Sequence, residues 1–149
     1  MKDIVWKIKS FKELSSQELY AILKVRQEVF IVEQTCYYLD ADSYDQKALH
    51  LWAEKEDQIV AYCRIFKEGI KYPETSIGRV LTHPSARNLS LGKTLMSFAL
   101  QAIETQFKTR KCRISAQDYL LKFYSSFGFT DTGKKYLEDD IPHTEMVRN

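Results

Sequence analysis

Ser76-Ile77-Gly78-Arg79-Val80-Leu81-Thr82-His83-Pro84-Ser85-Ala86-Arg87-Asn88-Leu89-Ser90-Leu91-Gly92-Lys93 is the stretch around which the chain organises itself. Residues 76–82 read as a strand. From Ser90 to Phe107, Leu91, Leu95, Phe98, Ala99, Ala102 and Ile103 recur on one face of a helix. The small and polar residues between strand and helix leave several backbone N–H groups unpaired and aimed one way, with the positive end of the helix behind them. Such a turn suits an anion, most naturally a phosphate or pyrophosphate, and Arg87 and Lys93 add charge without obstructing the backbone. Strand, turn and capped helix recur in most α/β domains, so taken alone the turn leaves open whether anything binds.

Upstream, Leu49 to Glu54 and Ile59 to Phe66 are strand-like runs about a polar Lys55-Glu56-Asp57-Gln58 turn, which predicts an antiparallel hairpin. Ile4, Trp6 and Ile8 alternate with charged neighbours as a first strand. Ser15-Ser16-Gln17-Glu18 then reads as a capping box opening a helix. Leu19, Ile22, Leu23, Val29 and Phe30 make the apolar stripe of that helix, and Arg26 interrupts it. Thr35 to Gln46, rich in Tyr and Asp without a period, reads as a loop. Downstream, Cys112, Ile114 and Ala116 alternate in a strand, Tyr119 to Phe127 is helical, and the last strands begin at Phe129 after Gly128. The order predicts an α/β sandwich with a mixed sheet and no internal repeat.

At 149 residues the chain is expected to form a single domain over 1–149. A net charge of +2 with scattered basic residues argues against a nucleic-acid partner, and Lys108 to Arg113 reads as a solvated helix end leading into a strand. Met1 to Ser10 has the apolar centre of neither a signal peptide nor a membrane span. Cys36, Cys63 and Cys112 are widely spaced without a Cys-x-x-Cys pair, so no disulfide framework or metal site is expected and a cytoplasmic home fits.

Arg87, Ser90 and Gly92 resemble the Arg/Gln-x-x-Gly-x-Gly/Ala hallmark of GNAT acyltransferases. Gly78-Arg79-Val80-Leu81-Thr82 and Tyr124-Ser125-Ser126-Phe127-Gly128-Phe129 are similar to other landmarks of that family. Ser90 replaces the usual first Gly, and Asn88 stands where Gly commonly follows the Arg, at places where close phosphate approach or positive φ favours glycine. The ElaA-type branch is resembled over almost the whole chain. The resemblance runs through Arg26 to Gln34, Cys36, Tyr38, Asp40, Asp42, Asp45, Ala48 to Leu51, Ile77 to Val80 and Glu138 to His143, with Asp140 where Gly is usual. It implies a GNAT-like three-layer α/β/α sandwich with a central mixed, mostly antiparallel sheet. It also implies acetyl-CoA as cosubstrate, bound by Val80, Leu81 and Thr82 and by Arg87, Asn88, Leu89, Ser90, Leu91, Gly92 and Lys93. A homodimer is a further implication.

Acyl transfer to an amine needs a neutral amine, a donor for the carbonyl oxygen and stabilisation of the leaving thiolate. The resemblance assigns the donor to a backbone N–H near Val80 or Leu81 and puts Tyr124 beside the thioester sulfur; its alternative is a tyrosine packed on the sheet. Glu33 is the first candidate for general base, with His50 and His143 as alternatives on the acceptor side. Arg26 is expected either to pair a substrate carboxylate or to neutralise a buried Asp or Glu. The loop Asp40-Ala41-Asp42-Ser43-Tyr44-Asp45 either attracts a cationic amine or is a solvated turn, and it lacks the Gly and terminal Glu of a calcium site. The expected acceptor is thus an amine of a small molecule or a protein, with no membrane partner. A non-catalytic acyl-CoA-binding regulator is the competing reading. Nucleotide binding at the same turn lacks the Lys-Ser/Thr of a P-loop.

Overall fold

A computed structural model describes residues 3–149, so Met1 and Lys2 of the opening segment lie outside the described residues. Strands β1 (Val5–Ser10), β2 (Ala48–Lys55), β3 (Gln58–Phe66) and β4 (Ser76–Thr82) form an antiparallel sheet in chain order. The β2–β3 turn closes on the pair Lys55 and Gln58, with Glu56 and Asp57 at φ 53° and 63°. Two successive positive φ values match the twist that a two-residue hairpin needs.

Helix α1 (Ser16–Arg26) opens on the expected box: the Glu18 N–H donates to Ser15 Oγ at 3.0 Å and the Ser15 N–H to Glu18 Oε1 at 2.9 Å. It runs on into a π-helical segment, Gln27–Glu33. Ile22, Val25, Val29 and Phe30 from this unit pack with Trp52 and Tyr62 on one face of the sheet. On the other face α2 (Leu91–Phe107) buries Leu95, Met96, Ala99 and Ile103 against Leu51, Ala61, Cys63 and Ile65. Both faces of β3 are thereby covered, which is why Ile59 to Phe66 is nearly all apolar rather than alternating. Leu95, Met96 and Ile103 are fully buried; removing each from water contributes about 1.5–3 kcal/mol. Phe98, expected on the buried stripe, sits instead on its shoulder, 37% exposed and edge-on to Trp6 at 5.0 Å.

The second sheet places β7 (Ile141–Arg148) between β5 (Cys112–Gln117) and β6 (Thr130–Glu138), all antiparallel, with the short helix α3 (Leu121–Ser125) before β6. Among the described residues the parallel component is one bridge, Thr75 to Cys112, reinforced by the Arg113 N–H donating to Thr75 O at 2.9 Å and Thr75 Oγ1 to Lys111 O at 2.6 Å. Beyond that hinge β4 and β5 share no ladder, and a cleft opens between them. Among the described residues no helix is long and apolar enough to cross a membrane.

Candidate active site

The cleft has a volume of about 590 Å³ and is walled by Ile77 to Thr82 on β4, Ile114, Ser115 and Gln117 on β5, and the start of α2. Its β4 wall is irregular. Tyr62 pairs with Leu81 and Arg64 with Gly78, so one extra residue is inserted on β4, and Arg79 takes up the bulge at φ 51°. A bulge turns backbone groups out of the ladder. Val80, Leu81 and Thr82, expected to bind the cosubstrate, all line the cleft.

At the end of β4 the His83 ring accepts the Ser85 N–H at 3.2 Å, and Pro84–Leu89 forms a 3₁₀ turn. Ser90 joins this turn to α2 at φ 55°, ψ 32°, and its side chain makes no capping hydrogen bond. The left-handed position thus falls on Ser90 and not on Asn88, and Ser90 stands there as a glycine substitute rather than as a cap. Arg87, Ser90, Leu91 and Gly92 line the cleft, whereas Asn88, Leu89 and Lys93 do not.

Tyr124 also lines the cleft, 6% exposed and held edge-on by Phe123 at 5.2 Å and Phe129 at 6.1 Å. Its hydroxyl is neither bonded to any described residue nor sealed from the cleft. Burial, with the nearby Cys63 and Tyr119, pushes its pKa above the usual phenol value, so it remains a donor.

Glu33 reaches the cleft, but its carboxylate accepts both ends of the Arg87 guanidinium at 2.6 Å each. Those hydrogen bonds hold its pKa below the ordinary value, which makes it a poor proton acceptor while the pair is intact. His143 lies 6% exposed on the opposite wall. Its Nδ1 is 2.7 Å from Ile141 O, and a carbonyl only accepts, so Nδ1 carries the hydrogen. Nε2 lies 3.2 Å from Glu138 Oε2, and the ring stacks on Tyr136.

Two acceptor-side expectations do not reach the cleft. His50 is fully buried, with Nε2 donating to Asp45 O at 2.9 Å and Nδ1 accepting from Tyr62 Oη at 2.7 Å. Burial lowers its pKa and it stays neutral. Arg26, also fully buried, ion-pairs Asp40 at 2.9 Å and Asp45 at 2.6 Å, so it is a structural cation and not a ligand for a substrate carboxylate. The acidic loop likewise does not offer its charge to an amine. Arg64 takes Asp45 at 2.9 Å and Asp42 at 2.8 Å, and Arg79 takes Asp40 at 2.8 Å. Asp42 and Asp45 resist the upward push of burial, because these guanidinium groups hold both carboxyls below the ordinary range.

Sequence reasoning missed Arg64 and Arg79 as partners of the loop, and Tyr38, Cys36, Glu138 and Asp139 as cleft residues. The signal for Arg64 was present: one cation inside the apolar run Ile59 to Phe66 requires a buried anion.

The profile described as Acetyltransferase (GNAT) domain matches residues 12–149. Protein ElaA of Escherichia coli is 38% identical over 147 residues, covering 97% of this chain and 96% of ElaA. The crystal structure of E. coli ElaA superposes with a TM-score of 0.92 at 37% identity, covering 99% of this chain and 100% of that one. The structure of an acyl-CoA N-acyltransferase from Pseudomonas aeruginosa superposes with a TM-score of 0.92 at 39% identity, covering 97% and 99%. Shared sequence over nearly the whole length, on the same fold, shows that this chain belongs to the GNAT acetyltransferase family, in its ElaA-like branch, and is an acyltransferase.

Proposed function

We propose that residues 1–149 act as a single domain that moves an acetyl group from acetyl-CoA to an amine of a small molecule or protein by direct attack on the thioester. The observation that carries this reading is the Tyr124 hydroxyl. The residue is 6% exposed, its hydroxyl has no hydrogen-bond partner among the described residues, and it lines a cleft that also meets the bulge of β4 and the first turn of α2. The cleft volume of about 590 Å³ and the presence of Arg87, Ser90, Leu91 and Gly92 in its wall suit an extended anionic ligand with its pyrophosphate at the helix start. Acetyl-CoA supplies the activated acyl group.

In this reading an amide of Val80 or Leu81 donates to the carbonyl oxygen as charge develops. Tyr124 donates to the sulfur. An ordinary phenol at about 10 already lies above a thiol at about 8.5, and burial raises Tyr124 further, so complete proton transfer is uphill and hydrogen bonding carries the larger share. His143 is favoured over Glu33 as the base, because it lines the cleft beside Glu138, whereas the Glu33 carboxylate is taken up by Arg87. Three free thiols, two of them buried, fit a reducing cytoplasm.

CoA release with a panel of amines, followed by single-turnover transfer, tests the proposal. Tyr124→Phe is expected to slow single-turnover transfer by about a hundredfold while changing acetyl-CoA affinity by less than about twofold. A parental rate in the Phe variant makes Tyr124 a packing residue.

A further inference from the structure

The charged residues around the loop at residues 40–45 form a closed ring. Arg79 Nε lies 2.8 Å from Asp40 Oδ1, and Asp40 Oδ2 lies 2.9 Å from Arg26 Nε. Arg26 continues to Asp45 at 2.6 Å, Asp45 to Arg64 at 2.9 Å, and Arg64 Nη1 to Asp42 at 2.8 Å. Asp42 Oδ2 returns to Arg79 Nη2 at 3.5 Å. The anions come from one loop and the cations from α1, β3 and β4, so the ring ties the loop to three elements at once. Asp40 also offers its backbone carbonyl to Arg26 at 3.0 Å and to Arg79 at 3.3 Å. The Arg79 guanidinium lies over the Tyr38 ring at 5.5 Å, and Tyr38 Oη donates to Asp40 at 3.3 Å.

Arg79 is the bulge residue, in the left-handed region that a Cβ disfavours. The chain has a glycine next to it, Gly78, and still places an arginine at the position where glycine would be free of strain. A strained backbone persists when its surroundings over-determine it, and here the surroundings are Asp40, Asp42 and Tyr38. The two residues after the bulge are Val80 and Leu81, which line the cleft.

We propose that Arg79 and Asp40 are positioning residues: their ion pair clamps the β4 bulge and thereby aims the amides of Val80 and Leu81 at the acyl carbonyl. This inference rests on the acyltransferase reading of the same cleft. It assigns the acidic loop to the shape of the acyl site rather than to recognition of the amine. A clamp of this kind acts on ligands that carry the carbonyl and leaves free CoA indifferent.

The test compares calorimetric affinities for acetyl-CoA and CoA in the wild type, Arg79→Gly, Arg79→Lys and Asp40→Asn, together with single-turnover transfer to the best amine found. Arg79→Gly keeps the backbone conformation accessible while removing the clamp. Loss of one well-aimed hydrogen bond predicts that its acetyl-CoA affinity falls about fivefold while its CoA affinity stays within about twofold. Its transfer rate is expected to fall about a hundredfold, with the KM for the amine unchanged. Arg79→Lys, which retains the ring's charge, is expected to fold like the wild type and show a smaller loss in the same direction; it decides the matter if the other variants fail to fold. The clamp is overturned if the acetyl-CoA to CoA affinity ratio and the transfer rate match the wild type. It is equally overturned if the amine KM alone rises, which would make Arg79 a ligand for an acceptor carboxylate. Failure of the wild type to bind either ligand overturns the acyltransferase reading itself, and the clamp with it.

Discussion

Ser90→Gly is the substitution whose outcome follows most directly from the backbone. Ser90 sits at φ 55°, ψ 32° between the 3₁₀ turn and α2, is exposed, and makes no capping bond that the change would remove. Holding a residue with a Cβ in the left-handed region costs about 1–2 kcal/mol. Glycine escapes that cost and loses about 0.5–1 kcal/mol through its freer unfolded chain. The difference favours the Gly variant by about 0–1.5 kcal/mol. For 149 residues the unfolding entropy near the midpoint is about 0.3 kcal/mol per degree, so Tm should rise by up to about 5 °C.

Thermal unfolding by circular dichroism reads the stability, and calorimetry with CoA reads the site. CoA affinity in Ser90→Gly should be equal or higher, because the backbone that meets the phosphates is unchanged. Ser90→Val should lower Tm by about 3–6 °C and weaken CoA, since a β-branched side chain is a poorer occupant of the left-handed region and adds bulk beside the cleft. A Gly variant that melts below the wild type refutes the strain argument. Equal CoA affinity in the Gly, Ser and Val variants would show that residue 90 does not face the ligand.

Glu33→Gln removes the bidentate partner of Arg87, leaving the guanidinium free for phosphate. The pair is part-exposed and worth at most about 1 kcal/mol, so CoA should bind about two- to fivefold tighter by calorimetry, and weaker binding would show that Glu33 orients Arg87 instead of competing for it. Acid should destabilise the protein in two stages. The folded pKa of His50 is depressed by burial, so its contribution is complete above the unfolded value of 6.5 and is lost as pH falls through the lower folded value. Asp42 and Asp45 are also depressed, and their contribution is complete above 3.8 and lost below it. Urea unfolding across pH 8 to 3 checks the sign, and stability that rises on acidification refutes it.

Features set by neighbours along the chain could be read from the sequence alone. The Ser15–Glu18 box, the polar turn between β2 and β3, the strand Ser76–Thr82 and the helix ending at Phe107 each depend on residues a few positions apart. The turn before α2 reads as suited to an anion for the same reason, a reading that the CoA titrations test. Sequence could not say that Ser90 rather than Asn88 takes the left-handed position, because the two are close in local preference and packing decides between them. The ring was out of reach because its partners lie far apart along the chain, 39 residues in the case of Asp40 and Arg79. The acidic loop read as either an acceptor surface or a solvated turn until β3 and β4 brought Arg64 and Arg79 against it, since two buried carboxylates and a part-buried third persist only where cations meet them. His50 and His143 were equivalent as letters. One is packed between a tyrosine and a carbonyl inside the core and the other lines the cleft beside Glu138, a distinction made by where the fold sets each ring in three dimensions.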